Sequence, residues 1–129
     1  MINGKGSPHA VLIVEDDQLL MALTAGIVED AGFEAIQAGD ADQAVAILKA
    51  RSDIALLLTD VDMPGSMDGV KLAHAVRDRW PPIKIIVVSS RVPDCDLPAG
   101  SHFSRKPYHA GAMVLEMRSL IGRELELQP

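Results

Sequence analysis

The stretch IALLLTDVDMPG, residues 54–65, decides the fold. Six residues, Ile54 to Thr59, form an apolar run. Such runs fit a parallel strand covered on both faces. The run ends in Asp60 and Asp62, separated by Val61 and followed at once by Met63–Pro64. Charge at the end of a buried strand is costly unless something compensates it. The rest of the chain has to supply that compensation.

Outward from this stretch, strand and helix periods alternate. AVLIV (10–14) is a second fully apolar run. Leu19, Leu20, Leu23, Ile27, Val28 and Ala31 recur at helical spacing and predict an amphipathic helix with that stripe inward, stopped by Gly32. FEAIQA (33–38) reads as a short strand. Asp40 with Gln43 has the form of an N-cap for a helix burying Ala44, Val45 and Leu48. MDGVKLAHAVRDRW carries a third helix with Val70, Ala73, Val76 and Arg77 at helical spacing, and Pro81–Pro82 stop it. IKIIVVSS (83–90) and the weaker SHFSRK (101–106) are the remaining strands. HAGAMVLEMRSLIGREL closes the chain as a helix with Met113, Met117, Leu120, Ile121 and Leu125 inward.

Alternating strands and helices imply right-handed crossovers and a doubly wound α/β fold with a five-stranded parallel sheet. One crossover is defective. Arg91 to Gly100 contains Pro93 and Pro98, so the helix between the fourth and fifth strands is expected to be shortened or absent. We expect one domain over 9–125, tails at 1–8 and 126–129, and no output domain.

Composition narrows the function classes. The chain has 129 residues, 48% of them hydrophobic, and a formal net charge of −6. With no run of Lys or Arg, a nucleic-acid surface is not expected. No stretch is long enough to span a bilayer, and the start has no signal-peptide core, so a cytoplasmic protein is expected. Cys95 is the single cysteine and reads as an incidental loop thiol. GKGSP lacks the spacing of a phosphate-binding loop. His9, His74, His102 and His109 show no paired ligand spacing.

In open parallel sheets, ligands bind beyond the carboxyl ends of the strands. Here those ends carry Glu15-Asp16-Asp17, Asp60-Val61-Asp62, Ser89-Ser90 and Lys106-Pro107. Carboxylates gathered there would raise one another's pKa, and a divalent cation removes the conflict. Hard oxygen donors without a Cys/His cluster favour Mg²⁺, or Mn²⁺, over zinc. Helix capping is the competing reading for the acidic triplet. Ser89 and Ser90 compete for one role, with Ser89 favoured by register. If the third to fifth strands are neighbours, Ser89 lies beside Asp60, and a lysine stem from two strands away spans most of a gap of about 10 Å.

LIVEDD, LLLTDVDMPGSMDG, VVSS and FSRKPY, in this order and each at a strand end, resemble the receiver domain of bacterial two-component response regulators. The resemblance covers residues 9 to 125. It implies a flavodoxin-like sheet of order 2-1-3-4-5. It also implies a phosphoryl group accepted on Asp60 from a histidine kinase or histidine phosphotransfer protein. Glu15 and Asp16 would hold Mg²⁺, with Asp16 the more direct ligand and Asp62 adding its backbone carbonyl. Ser89 would meet the phosphoryl group, Lys106 would pair with a phosphoryl oxygen, and Pro107 follows a bond often cis. Phe103 takes the aromatic switch position, although plain core packing explains it nearly as well. Arg91 could pair with Asp62, and these two positions tune phosphate loss in the family.

The turn MPGSMDG is one residue longer than the family's usual form. The altered segment 91–100 means that the family's usual dimerisation cannot be carried over. On this reading the protein is no enzyme beyond its own phosphorylation and dephosphorylation. Its output would be contact with a downstream protein, or phosphate passed along a relay; a phosphate sink is the alternative. A haloacid-dehalogenase-like phosphatase also places D-x-D after an apolar strand, and toprim nucleases have acids in similar order. Neither matches the placement of Glu15-Asp16 and Lys106 together.

Overall fold

A computed structural model describes residues 10–61, 68–93 and 96–126, with side chains through residue 122. The elements run β1 (Ala10–Val14), α1 (Gln18–Asp30), β2 (Glu34–Ala38), α2 (Ala41–Ala50), β3 (Ile54–Asp60), α3 (Gly69–Arg79), β4 (Lys84–Ser89), β5 (His102–Arg105) and α4 (Ala110–Glu126). All four pairings are parallel and the strand order is β2-β1-β3-β4-β5, as expected.

Two apolar layers sandwich the sheet. On one face Leu12, Val14, Leu57, Ile85 and Val87 pack with α2 and α3 through Ala44, Leu48, Leu72 and Val76. On the other, Val11, Ile13, Leu56, Leu58, Ile86 and Val88 pack with α1 and α4 through Ala25, Val28, Met113, Met117 and Ile121. Successive side chains alternate between these layers, which is why β1, β3 and β4 are apolar at nearly every position.

The helix boundaries follow local chemistry. Asp17 caps α1 by accepting from Leu20 N at 3.0 Å, and Asp68 caps α3 through Lys71 N at 2.9 Å. Asp40 caps α2 by accepting from Gln43 N at 2.9 Å, while Gln43 Oε1 accepts from Gly39 N. After α1, Gly32 takes φ +98°, and its N–H donates to Glu29 O while Phe33 N–H donates to Val28 O. This is a Schellman closure, and it needs a residue tolerant of positive φ.

The inward face of α1 differs from the expectation. Met21, Thr24, Ala25 and Val28 are buried, whereas Leu19 and Leu23 are 71% and 58% exposed and Leu20 is also exposed. The large leucines form an outer apolar face, and smaller residues fit the close approach to the sheet. Leu125 lies outside the residues whose side chains are described.

No helix joins β4 to β5 among the described residues. Instead the segment is strapped to α3. The His74 ring Nε2 hydrogen-bonds Asp96 O at 2.8 Å, and Arg77 Nε donates to Ala99 O at 2.9 Å. Leu97 packs against the α2/α3 layer, Pro98 is buried, and Ser101 Oγ donates to Pro98 O. Cys95 lies outside the described residues.

Candidate functional site

Three strands deliver the site. Glu15 and Asp16 follow β1 directly, and Asp60 is the last residue of β3. Each of the three offers a carboxylate oxygen, and these oxygens lie within 4.8 Å of one another. Glu15 and Asp60 are buried while Asp16 is exposed. Asp17 turns away to cap α1, so the acidic triplet divides its work between helix and cluster.

Lys106 follows β5 and reaches across β4. Its Nζ lies 3.2 Å from Asp60 Oδ2 and 3.3 Å from Glu15 Oε1. Its backbone is held by a 2.7 Å bond from Lys106 N to Ser89 O, and the Lys106–Pro107 peptide is cis. Burial alone would lower the Lys106 pKa, but the charges of Asp60 and Glu15 outweigh it and raise the value. For Glu15, burial pushes the carboxyl above its usual range, against the opposing effects of the Asp17 N–H and Lys106.

Three carboxyl groups facing one ammonium leave an excess of acidic over basic charge in a partly buried cleft. Hard oxygen donors and that residual charge fit a Mg²⁺ ion, which commonly takes one or two carboxylates and completes its octahedron with water and phosphate oxygens. Asp62, expected to add a carbonyl, lies outside the described residues. So do Gly65 and Ser66 of the lengthened turn.

The remaining sites are less convergent. Register pairs Asp60 with Val88, so Ser89 stands one residue beyond the position directly beside Asp60. Ser89 is buried and its Oγ accepts from Arg91 N at 3.3 Å, while Ser90 is exposed. Ser90 O instead accepts from Arg105 Nε. The Arg91 side chain is at the exposed surface, and its expected partner Asp62 is among the residues not described. Phe103 is half-buried and pairs in register with Val87, one of the residues of the α2/α3 layer. His74 and His102 serve structure, the latter 3.5 Å from Glu116. His9 is outside the described residues.

Two features were not singled out from the sequence. Gly69, the first residue of α3, packs so closely that a Cβ there would lie 1.8 Å from Asp60 O. Its N–H also donates to Val61 O at 3.0 Å. The only sequence signal is a glycine in a helical first turn. The second is a hydroxyl pair, Thr24 on α1 and Tyr108 after Pro107, which are hydrogen-bonded to each other. That bond ties α1 to the loop carrying Lys106.

Comparisons with known proteins bear on the family and the fold. A family model described as "Response regulator receiver domain" matches residues 11–99. The chain is 32% identical over 113 residues to the nitrogen assimilation regulatory protein NtrX of Azorhizobium caulinodans, covering 83% of this chain and 25% of that protein. It is 28% identical to the response regulator receiver protein CpdR of Brucella abortus, covering 86% of this chain and 95% of CpdR. The chain thus spans about a quarter of NtrX but nearly all of CpdR. Among solved structures, a CheY-like receiver domain protein from Methanospirillum hungatei superposes with a TM-score of 0.84 at 24% identity, covering 95% of this chain and all of that one. The receiver domain of the hybrid histidine kinase CckA gives 0.75 at 25% identity, covering 87% and 98%. The chain belongs to the response regulator receiver domain family.

Proposed function

We propose that Asp60 accepts a phosphoryl group from a histidine kinase or a histidine phosphotransfer protein, in a Mg²⁺-dependent reaction. The observation that carries this reading is the meeting of Glu15, Asp16 and Asp60 with the Lys106 ammonium at the carboxyl end of the sheet. Glu15, Asp16 and Asp60 would hold the metal, which supplies positive charge to phosphoryl oxygens when bound.

The chain's own groups account for the rest. An Asp60 oxygen forms the new P–O bond as the donor's P–N bond breaks, and the imidazole nitrogen leaves with the bonding pair. A carboxylate attacking an anionic phosphoryl group is opposed by like charge. Lys106 offsets that repulsion and turns from Asp60 Oδ2 to a phosphoryl oxygen. The Ser89 hydroxyl moves in to meet the group, which draws the β4–β5 segment with it. Phe103, beside that segment, changes packing and carries the signal. Arg91, together with Asp62, tunes how long the phosphoryl group stays.

The donor protein docks on the outer face of α1. Leu20, Leu23 and Ile27 line a groove of about 610 Å³ with Pro107 and Tyr108, and the groove runs directly to Lys106. An apolar face continuous with the phosphoryl site suits a partner that must bring its phosphohistidine to Asp60. The output is contact with a downstream protein or onward transfer in a relay. A phosphate sink would use the same chemistry without an effector.

The test is incubation with a small phosphodonor, with and without Mg²⁺, read by intact mass. A single phosphoryl adduct is expected only with Mg²⁺, and none in Asp60→Asn. Steady hydrolysis of a phosphate ester without an adduct would instead mark a phosphatase.

A further inference from the structure

A feature unconnected with Asp60 lies at the other end of the sheet. A cavity of about 570 Å³ opens between the ends of α2 and α3, the starts of β3 and β4, and α4. Ile54 at its floor and Asp60 are the two ends of β3, roughly 20 Å apart at the rise of a strand. Nothing in the phosphoryl chemistry uses it.

Its lining has an uncommon charge pattern for this chain. Lys49, Arg51, Arg79 and Lys84 all line it, and none of its described lining residues is acidic. The whole chain, by contrast, carries a net charge of −6. Helix dipoles explain part of this, since Lys49 and Arg79 lie in the last turns of α2 and α3. They do not explain Arg51, which is past the end of α2, or Lys84, which begins β4. Arg51 is paired with Asp53 and Glu34, so it contributes little net charge.

The rest of the wall is apolar and in part planar. Trp80 lines the cavity, and the Arg79 guanidinium sits 4.7 Å from the centre of its ring. Leu120 closes the far side. A volume of this size, an aromatic wall and basic side chains along the lining match the general make-up of small-ligand sites.

We propose that this cavity binds a small organic anion with a planar apolar body, the chemistry of a purine mononucleotide. The base lies against Trp80 and the phosphate beside Lys49 and Arg79. Arginine and lysine together provide both stacking and point charge for such a ligand. The proposal is independent of the phosphorylation of Asp60.

Trp80 is the only tryptophan in the chain, so its indole N–H gives one unambiguous NMR signal. The ¹⁵N-labelled full chain is titrated with AMP and with GMP in the presence of a chelator, which keeps metal from carrying nucleotide to the acidic site. Saturable shifts are expected at the Trp80 indole and at backbone amides 49–52 and 83–84. Adenosine and guanosine should bind about tenfold more weakly, having lost the charged contacts. Lys49→Gln with Arg79→Gln should weaken AMP or GMP by a similar factor while leaving the remaining spectrum folded, and Asp60→Asn should change nothing. Absence of saturation up to about 10 mM, beyond ordinary weak association, would overturn the proposal. So would equal binding of nucleoside and nucleotide, or shifts confined to the surroundings of Asp60.

Discussion

Replacing Gly69 by alanine puts a methyl group where the Asp60 carbonyl already stands. The new Cβ would lie 1.8 Å from Asp60 O, 2.7 Å from Asp60 C and 2.9 Å from Val61 Cα. Ordinary contact is about 3.5 Å, so the backbones must part by roughly 1.7 Å. None of these atoms is a side-chain end that can swing aside. Overpacking of this kind costs about 3 kcal/mol, at the upper end of the usual range, and the better helix propensity of alanine returns roughly 0.8. The net loss is about 2 kcal/mol. With an unfolding entropy of about 2.1 cal/mol/K per residue, Tm should fall by roughly 7 °C. The displaced atoms carry the proposed phosphoryl acceptor, so phosphorylation by a small donor should slow by about 10- to 100-fold. Gly26→Ala is the matched control, because a Cβ there meets nothing within 4 Å. It lies inside α1 and should stabilise by about 0.5–1 kcal/mol. Thermal unfolding and a phosphorylation time course read both variants. A Gly69→Ala protein with unchanged Tm and rate would refute the argument that the start of α3 sets the position of Asp60.

Other expectations concern more local contacts. Arg51 donates through Nε to Asp53 at 2.8 Å and through a second nitrogen to its other oxygen, holding the Asp53 carboxyl below its usual range. A depressed carboxylate pKa stabilises fully above the unfolded value and is lost as pH falls through the folded one. Asp53→Asn should therefore cost up to about 1 kcal/mol near neutral pH, given the exposure of the pair, and nothing once acid has protonated Asp53. Urea unfolding against pH checks this; a gap that persists in acid contradicts it. Thr24→Val should cost about 1–2 kcal/mol by leaving Tyr108 without its buried partner, and adding Tyr108→Phe should cost little more. Equilibrium unfolding of the double-mutant cycle measures the coupling, and strictly additive losses would deny it. Leu23→Glu on the exposed α1 face should shift stability by no more than about 0.5 kcal/mol. It should leave small-donor phosphorylation intact while slowing transfer from a phosphohistidine protein, and equal rates from both donors would remove α1 from the docking surface.

The strands were legible because β1, β3 and β4 are buried on both faces and so carry apolar residues at consecutive positions. The acidic cluster and Lys106 were legible for the same reason, as polar residues stand out where such runs end. The lack of a crossover helix between β4 and β5 among the described residues followed from Pro93 and Pro98. What was hidden is how the chain fills that gap, since His74 and Arg77 grip backbone carbonyls that have no residue signature. The face of α1 was misjudged for a related reason. Helical spacing weighted by large apolar residues selects Leu19, Leu20 and Leu23, yet the close packing against the sheet selects Met21, Thr24, Ala25 and Val28. The placement of Ser89 beside Asp60 missed by one residue because strand ends, and hence register, are uncertain to that extent. Gly69 escaped notice because its importance lies in an approach between backbones distant from any motif chemistry.

The central claim is that Asp60, among the acids gathered at the sheet end, is the one that takes the phosphoryl group. Borohydride trapping tests it most directly, because hydride reduces an acyl phosphate to the alcohol and releases phosphate. After Mg²⁺-dependent phosphorylation, peptide sequencing by mass spectrometry should find homoserine at position 60 and nowhere else. Homoserine at position 62 or 16, or no reduced residue in a chain that carries the adduct, would contradict the account.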